Sequence, residues 1–580
     1  MGFAGRHGAG RPDRPDHEPA GSSMAGGQAV AARTRTDRNP VAAAFLGRMA
    51  DPAGADPASG DAALGMGAVM KIKTQLRYHA RPLLAALLVA VTALAAYAAL
   101  APRPAPVGVA ATDVPFYRLP FGPDDTGQER LFWPSRIRSA SGAFSDPTRL
   151  PSAADCASCH QQEFHEWAGS LHAIADRDLI YEATVDANVD SVRNPEQGRF
   201  CEGCHAPNEM LTGRVNRFVS VQPADALTEG VTCITCHTAI HAQPETGNGA
   251  ITLAYNRAEY DQDGLTNAAL LANPRDHLAA YGAPDTTALM KSSDLCGACH
   301  VEIYDHSMSK ARSPQVAQST FLEWRDSWYG QQGVTCQACH MADDPAAQVM
   351  AIRNGDLSGP KRFSHRFVGA NHLLTDTGMG DTLDVLRGGA LPGVSRDLNR
   401  DTLTEQARQT EALLRAAAGL ELRDQQRRGD TLHLAVAVQN LGAGHNLPTG
   451  VNDQKHMWLE LTLTDAQGRT LYRSGGPDEA ETVAWIEHFQ DSKGRRITDH
   501  LTFSTAEVNW VRRPIPAKGE DVATYDIPLD GAAQGPLHLT ARLEYRVALP
   551  DLLYRNLRRE MAVPPFTLAE LSTDLTDNQP

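Results

Sequence analysis

No cysteine stands before residue 156 or after residue 339, although the chain runs to 580 residues and carries ten. Whatever chemistry the thiols perform is confined to that window. An excess of basic residues is lacking too: 54 Lys and Arg against 69 Asp and Glu leave a formal charge of -15. Nucleic acid is thereby excluded as a partner of first choice, since meeting phosphate needs basic patches. The acidic balance suits either simple solubility or docking to a basic partner protein. Residues 1–69 lack sustained apolar periodicity and are rich in Ala, Gly, Pro, Arg and Asp, so they cannot bury enough surface to order themselves. Overall, the 42% hydrophobic content is that of a folded chain, and the length corresponds to roughly three to four domains.

Within the window the cysteines fall as five Cys-x-x-Cys-His units: Cys156/Cys159/His160, Cys201/Cys204/His205, Cys233/Cys236/His237, Cys296/Cys299/His300 and Cys336/Cys339/His340. This is the attachment pattern of haem c, in which the two thiols form thioethers to the porphyrin and the histidine becomes the proximal iron ligand. Disulfides and zinc sites are the competing readings of paired cysteines. Neither explains a histidine after every pair. The expected cofactors are therefore five haem c groups with their iron.

Met70 opens a stretch carrying Lys71, Lys73, Arg77 and Arg81, followed by an uncharged run from Pro82 to Ala101. A basic flank before an apolar run is an export signal. Met70 is thus a candidate start, with 1–69 either an over-extended reading frame or a disordered cytoplasmic tail. The run can cross a hydrocarbon core of ~30 Å, and Pro102 after Ala99-Leu100-Ala101 opposes cleavage. Residues 70–101 are therefore expected to be an N-terminal transmembrane anchor. The positive-inside rule then places everything after Pro102 on the periplasmic side of a bacterial inner membrane, where c-type haems are attached. Residues 102–150 read as linker and lead-in.

An internal repeat organises the cysteine window. Phe164-His-Glu166-Trp167-Ala-Gly-Ser170-Leu-His172 matches Phe321-Leu-Glu323-Trp324-Arg-Asp-Ser327-Trp-Tyr329, and Gly230-Val231-Thr232 before Cys233 matches Gly333-Val334-Thr335 before Cys336. The chain carries two copies of one unit, with the motif at Cys201 inserted in the first. The succession Cys156-Ala-Ser-Cys159-His160, His172 twelve residues on, a second motif, then Gly-Val-Thr-Cys-x-x-Cys-His resembles the multihaem cytochromes of the cytochrome c-554 type, over residues 150–345. The resemblance implies a mainly helical domain with haems in close pairs that carry electrons. A fifth haem and a long C-terminal extension depart from the pattern. The resemblance further implies that His172 serves a neighbouring haem, that at Cys233. By the same logic Tyr329, in the aligned position, leaves the haem at Cys336 either to recruit another histidine or to stay open.

Each iron needs a sixth ligand if it is to be a low-spin electron carrier. His365 and His372, in Ser364-His365-Arg-Phe367-Val-Gly369-Ala-Asn371-His372, are the first further candidates, and His277 is the next. His165, His241 and His306 rank behind, because a lone histidine is more often a surface residue than a ligand. The Leu/Ala period over 402–420 marks a helix. Beyond it the period becomes two in 432–439, 459–464 and 537–545, with a turn at Asp465-Ala-Gln-Gly468. Short alternating strands argue for an antiparallel sandwich, immunoglobulin-like in kind. Between two of them, the loop Gly442-Ala-Gly444-His445-Asn446-Leu447-Pro448-Thr449-Gly450 is dense in Gly and Pro around one histidine. His445 is expected either to supply a distal ligand to the haem domain or simply to bond its own backbone.

The fold expected is α+β: a mainly helical pentahaem cytochrome c domain over 151–400, a connecting helix over 401–424 and a β-sandwich over 425–580, behind the anchor. The function expected is electron transfer through five haems in a respiratory chain, between redox protein partners, a donor and an acceptor, that the sequence does not identify. An oxidoreductase acting on a small nitrogen or sulfur compound at a five-coordinate haem is the second reading. A scaffold role for the β-domain, with a partner or in an oligomer of this chain, is the third. Cys-x-x-Cys-Lys, the mark of the catalytic haem in many nitrite reductases, is absent.

Overall fold

A computed structural model describes residues 33–34, 132–142, 145, 150–192, 198–212, 229–254, 286–304, 315–391, 393–476, 482–497, 508–529, 536–558 and 560–575. The expected anchor and the candidate ligands His277 and His306 lie outside the described residues, as does all of 1–69 except Arg33 and Thr34. Among the described residues no helix is long and apolar enough to cross a membrane.

The cysteine window folds as short helices joined by irregular chain and two small sheets, one of Ile251–Leu253 and Ala239–Ala242 with Arg138–Ser139 from ahead of the window, and one of Glu302–Tyr304 and Gln315–Gln318. The motifs start in the helices Ala153–Ala157, Arg199–His205, Cys233–His237, Ser293–Gly297 and Cys336–His340. Spacings of three and four residues put both thiols and the imidazole on one side of a helical turn. In the first motif the Cys159 and His160 N–H groups both donate to the Cys156 carbonyl, at 3.1 and 2.9 Å. Helices this short are not stable on propensity alone, so side chains start them. Ser152 and Asp155 form a reciprocal capping box, and the Thr335 hydroxyl accepts from the Ala338 N–H.

The sequence repeat is also a structural one. Trp167, on the helix Gln161–Gly169, donates its indole N–H to the Val231 carbonyl at 2.8 Å; Trp324, on the helix Thr320–Asp326, donates to the Val334 carbonyl at 2.8 Å. The N–H of Val231 donates to the His172 carbonyl at 2.9 Å, and that of Val334 to the Tyr329 carbonyl at 3.0 Å. Each copy therefore ties its helix to the Gly-Val-Thr segment that opens the next motif.

A helix expected over 401–424 is found at Arg396–Ala417, capped by the Ser395 hydroxyl. It lies against the cytochrome region, with Gln406 donating to the Arg366 carbonyl and Gln409 to the Asp343 carbonyl, both at 3.1 Å. It stops at Ala417 because the following residues are taken into a sheet: β1 (Ala418–Arg428) pairs antiparallel with β2 (Thr431–Asn440). Among the described residues there follow β3 (His456–Thr464), β4 (Thr470–Ser474), β5 (Glu487–Asp491), β6 (Val508–Arg512), β7 (Glu520–Pro528), β8 (Leu537–Arg546) and β9 (Phe566–Leu575), with the two-residue strands Ala484–Trp485, paired to β3, and Arg496–Ile497.

One sheet has β2 between β1 and β7, with Arg33–Thr34 along the other edge of β7; a second runs β4-β3-β8-β9. All these pairings are antiparallel. The two sheets share a core: Leu432, Leu434, Val436 and Val438 on β2 belong to one buried cluster with Leu459, Leu461 and Leu463 on β3 and Leu539, Ala541 and Leu543 on β8. The turn between β3 and β4 is made by Asp465, whose carboxylate accepts from the N–H groups of Gln467 and Arg469 at 3.0 and 2.9 Å. A third small sheet, β5 with β6 and Arg496–Ile497, was not expected.

The repeat's two glycines make a controlled comparison. Gly230 and Gly333 both have positive φ, +63° and +72°, where a side chain costs about 1–2 kcal/mol. A Cβ at Gly333 meets nothing within 4 Å, whereas one at Gly230 collides with the His172 carbonyl oxygen. Gly333→Ala is expected to lower the thermal unfolding midpoint only slightly and Gly230→Ala substantially more; equal shifts would contradict the packing at His172.

Candidate haem centres

Among the described residues, three proximal histidines face a second imidazole. His300 lies 6.4 Å from His172 between ring centroids, at 54° between planes. His237 lies 6.4 Å from His365 and His340 lies 6.2 Å from His445, each pair at 12°. Two metal–nitrogen bonds of about 2 Å, with about 1 Å more from each nitrogen to its ring centre, span roughly 6 Å. The three pairs therefore have the separation that one iron between two imidazoles requires.

Protonation agrees with that use. Burial lowers the pKa of His172 to about 3 and of His300 to about 4, with neighbouring histidines adding to the effect. Burial likewise lowers His205, His340, His365 and His445. Neutral imidazole is the form that binds metal. Nδ1 of His340 lies 2.6 Å from the Val368 carbonyl, that of His205 lies 2.8 Å from the Ala175 carbonyl, and that of His445 lies 2.9 Å from the Asn446 carbonyl. A carbonyl only accepts, so Nδ1 carries the proton and Nε2 is left as the ligand atom. His445 thus makes the backbone hydrogen bond and faces a proximal histidine as well.

Two expectations are corrected here. His172 faces His300, not His237. The reason lies in the backbone: the His172 carbonyl is what holds Val231, just before the Cys233 motif, while the ring lies beside His300 and 4.6 Å from the Phe367 ring. Consequently Tyr329 does not stand where a ligand to the Cys336 haem belongs. It is buried among Val334, Ala338 and Ile352, and His340 is faced by His445 from the β-domain instead. His372 is not brought to a proximal histidine either; its ring packs against Tyr545 and Phe566, with Nε2 3.2 Å from the Pro564 carbonyl. His205 stacks face to face on Tyr181, with centroids 3.9 Å apart.

Thiols of different motifs approach one another. The thiols of Cys156 and Cys233, of Cys204 and Cys299, and of Cys296 and Cys336 lie close enough to perturb one another, and the Cys204 thiol reaches the Cys299 carbonyl at 3.9 Å. The Cys296/Cys299 motif therefore adjoins two others, those at Cys201 and Cys336. No disulfide joins any of the ten cysteines, and among the described residues no group of three or more His, Cys, Asp or Glu side chains converges as a metal cage.

Sequence reasoning passed over the groups that hold the facing histidines in place. Glu166 and Glu323, the shared acidic residue of the repeat, carry ion pairs from Arg362 and Arg512. Phe367, with φ of +46°, packs against both His172 and His365. The glutamate was visible as an identity between the two copies; the arginines carry no sequence signal of their own.

A family model described as "Cytochrome c554 and c-prime" matches residues 155–238. No curated protein matches the chain. Among solved structures, a penta-heme cytochrome c552 from Thermochromatium tepidum is similar at 20% sequence identity and a TM-score of 0.48, over 74% of this chain and 100% of that one. The family match takes in the first three attachment motifs, and the two later ones repeat their pattern. Over residues 155–238 the chain thus resembles the cytochrome c554 family, and its five Cys-x-x-Cys-His motifs are of the kind that holds haem c.

Proposed function

We propose that the chain is a periplasmic pentahaem cytochrome, tethered by residues 82–101, that relays electrons between two redox proteins of a respiratory chain. The observation that carries this reading is the set of three imidazole pairs at 6.2–6.4 Å. His172 with His300, His237 with His365 and His340 with His445 would hold haem iron between two imidazoles, which would leave it no position for substrate and suit it to exchange electrons. Bound haem supplies the chemistry by passing between ferric and ferrous forms. The protein's part is to hold ring planes and spacing fixed, to keep the ligating imidazoles neutral by burial, and to exclude water. The thiol contacts support a relay in which the Cys156 centre adjoins the Cys233 centre, and the Cys296 centre adjoins those at Cys201 and Cys336.

The basic flank and apolar run support export and tethering, and the charge of -15 supports docking to basic partners. Substrate chemistry at the Cys336 centre, the second reading, loses its ground once His445 faces His340.

Two measurements test the proposal. The intact mass of the exported protein should exceed the polypeptide mass by five haems; four or fewer would remove one attachment site from the account. In the ferric EPR spectrum, His445→Ala should convert one low-spin haem to a high-spin form that shifts on adding cyanide. An unchanged low-spin count would sink the role of His445.

A further inference from the structure

The shared glutamate of the repeat occupies equivalent surroundings in its two copies. Glu166 is 4% exposed, and the Glu323 side chain 5%. One oxygen of Glu166 accepts from Gln162, four residues earlier, at 3.2 Å and from Arg362 at 2.6 Å; the other accepts from Arg362 at 3.1 Å and from the backbone N–H of His365 at 2.8 Å. One oxygen of Glu323 accepts from Ser319, again four residues earlier, at 2.6 Å and from Arg512 at 3.2 Å; the other accepts from the Thr449 hydroxyl at 2.6 Å and from the backbone N–H of Asn446 at 3.3 Å.

In each copy, then, one carboxylate oxygen takes the i−4 side chain and an arginine, and the other takes a backbone N–H from the loop that carries a facing histidine. The loops themselves are unrelated. The one with His365 belongs to the cytochrome region, and the one with His445 to the β-domain. A buried carboxylate is costly unless its hydrogen bonds and counter-charge are complete, and a neutral side chain could satisfy an N–H without that cost. What glutamate adds is charge-assisted strength and a fixed negative charge beside the ligand loop.

We infer that Glu166 with Arg362, and Glu323 with Arg512, are equivalent positioning pairs that seat the His365 and His445 loops and set the potentials of the Cys233 and Cys336 haems. This rests on the ligation proposed above. Each pair acts through its histidine and touches no haem-binding atom. Removing the carboxylate takes one negative charge from beside the loop, while Arg362 keeps Asp343 and Arg512 keeps Glu487 as partners. The lost negative charge no longer favours the more positive ferric iron, so the potential of the affected haem rises.

The full-length holoprotein is the material for the test. His365→Ala and His445→Ala first assign one low-spin EPR signal to each pair. Glu166→Ala is then expected to convert the His365-dependent signal alone towards high spin. Glu166→Gln, which still accepts the His365 N–H, should restore low spin, with that one midpoint potential raised and the other four unmoved in a redox titration. Glu323→Ala and Glu323→Gln should do the same to the His445-dependent signal. Glutamine variants cover the case in which an alanine variant fails to fold. Unchanged signals and potentials in the glutamate variants, or equal shifts of all five potentials, would overturn the positioning role while leaving ligation intact. An unaltered low-spin count in both histidine variants would overturn the ligation reading, and the positioning role with it.

Discussion

The structure depends on bringing imidazoles from distant parts of the chain face to face across a gap of about 6 Å. His172 and His300, His237 and His365, and His340 and His445 are each more than 100 residues apart in sequence. Closing loops of that length costs entropy that short helices cannot repay by themselves. The chain meets this cost with contacts placed beside the pairs rather than at them: indole to carbonyl at Trp167 and Trp324, buried carboxylates at Glu166 and Glu323, and the long helix Arg396–Ala417 bridging to Arg366 and Asp343. Covalent attachment of haem to the two thiols of a motif would add to this, since the thiols and the motif's histidine would hold the group without help from the facing side.

Half of each centre was legible in the sequence and half was not. The proximal half is local: two thiols and a histidine within one helical turn are fixed by spacing alone. The facing half is tertiary. His172 shows how the resemblance misleads, because the residue belongs to the Cys233 centre through its carbonyl and to the Cys296 centre through its ring. Reading Tyr329 as a lost ligand to the Cys336 haem followed from the same error. In the second copy, the group placed like the His172 ring simply fills a hydrophobic cluster. His372 looked as good as His365 because the two share one short segment, yet only His365 lies on the side where Glu166 can take its N–H.

The β-domain divides in a similar way. Strands β2, β3 and β8 were readable because each buries one face in the shared core and so alternates apolar with polar residues. Strand β1 was hidden by the end of a strong helical pattern, and it appears only because β2 offers it a partner. The sheet of β5 and β6 escaped because its buried face mixes a glutamate with apolar residues such as Phe489 and Val508. Glu487 on β5 is fully buried, its carboxyl raised to about 7 by burial against the pull of Arg512, and Arg512 on β6 also reaches Glu323 in the cytochrome region. A strand that buries charge does not announce itself by hydrophobic period.

That polar seam bears on why a β-sandwich follows a cytochrome domain at all. A hydrophobic seam would hold the two parts together but would leave their register loosely defined. Here the apolar contacts of Phe200 and Tyr304 with Phe489, and of Leu373 with Leu553 and Val563, are supplemented by Glu323, Arg512, Glu487 and the half-buried Lys455, whose pKa burial lowers to about 8, together with the Ser327 hydroxyl on the Gly444 carbonyl and the Lys518 ammonium over the Trp328 ring. Charges and hydrogen bonds of this kind are satisfied in one arrangement only, because a shift of a few ångströms strands a buried ion. His445 lies on the loop between Ser327 and Glu323's other partners, so the arrangement that satisfies the seam is the one that sets His445 opposite His340. The sandwich is in this sense part of the Cys336 centre, and its fold serves to carry one histidine loop to a fixed place.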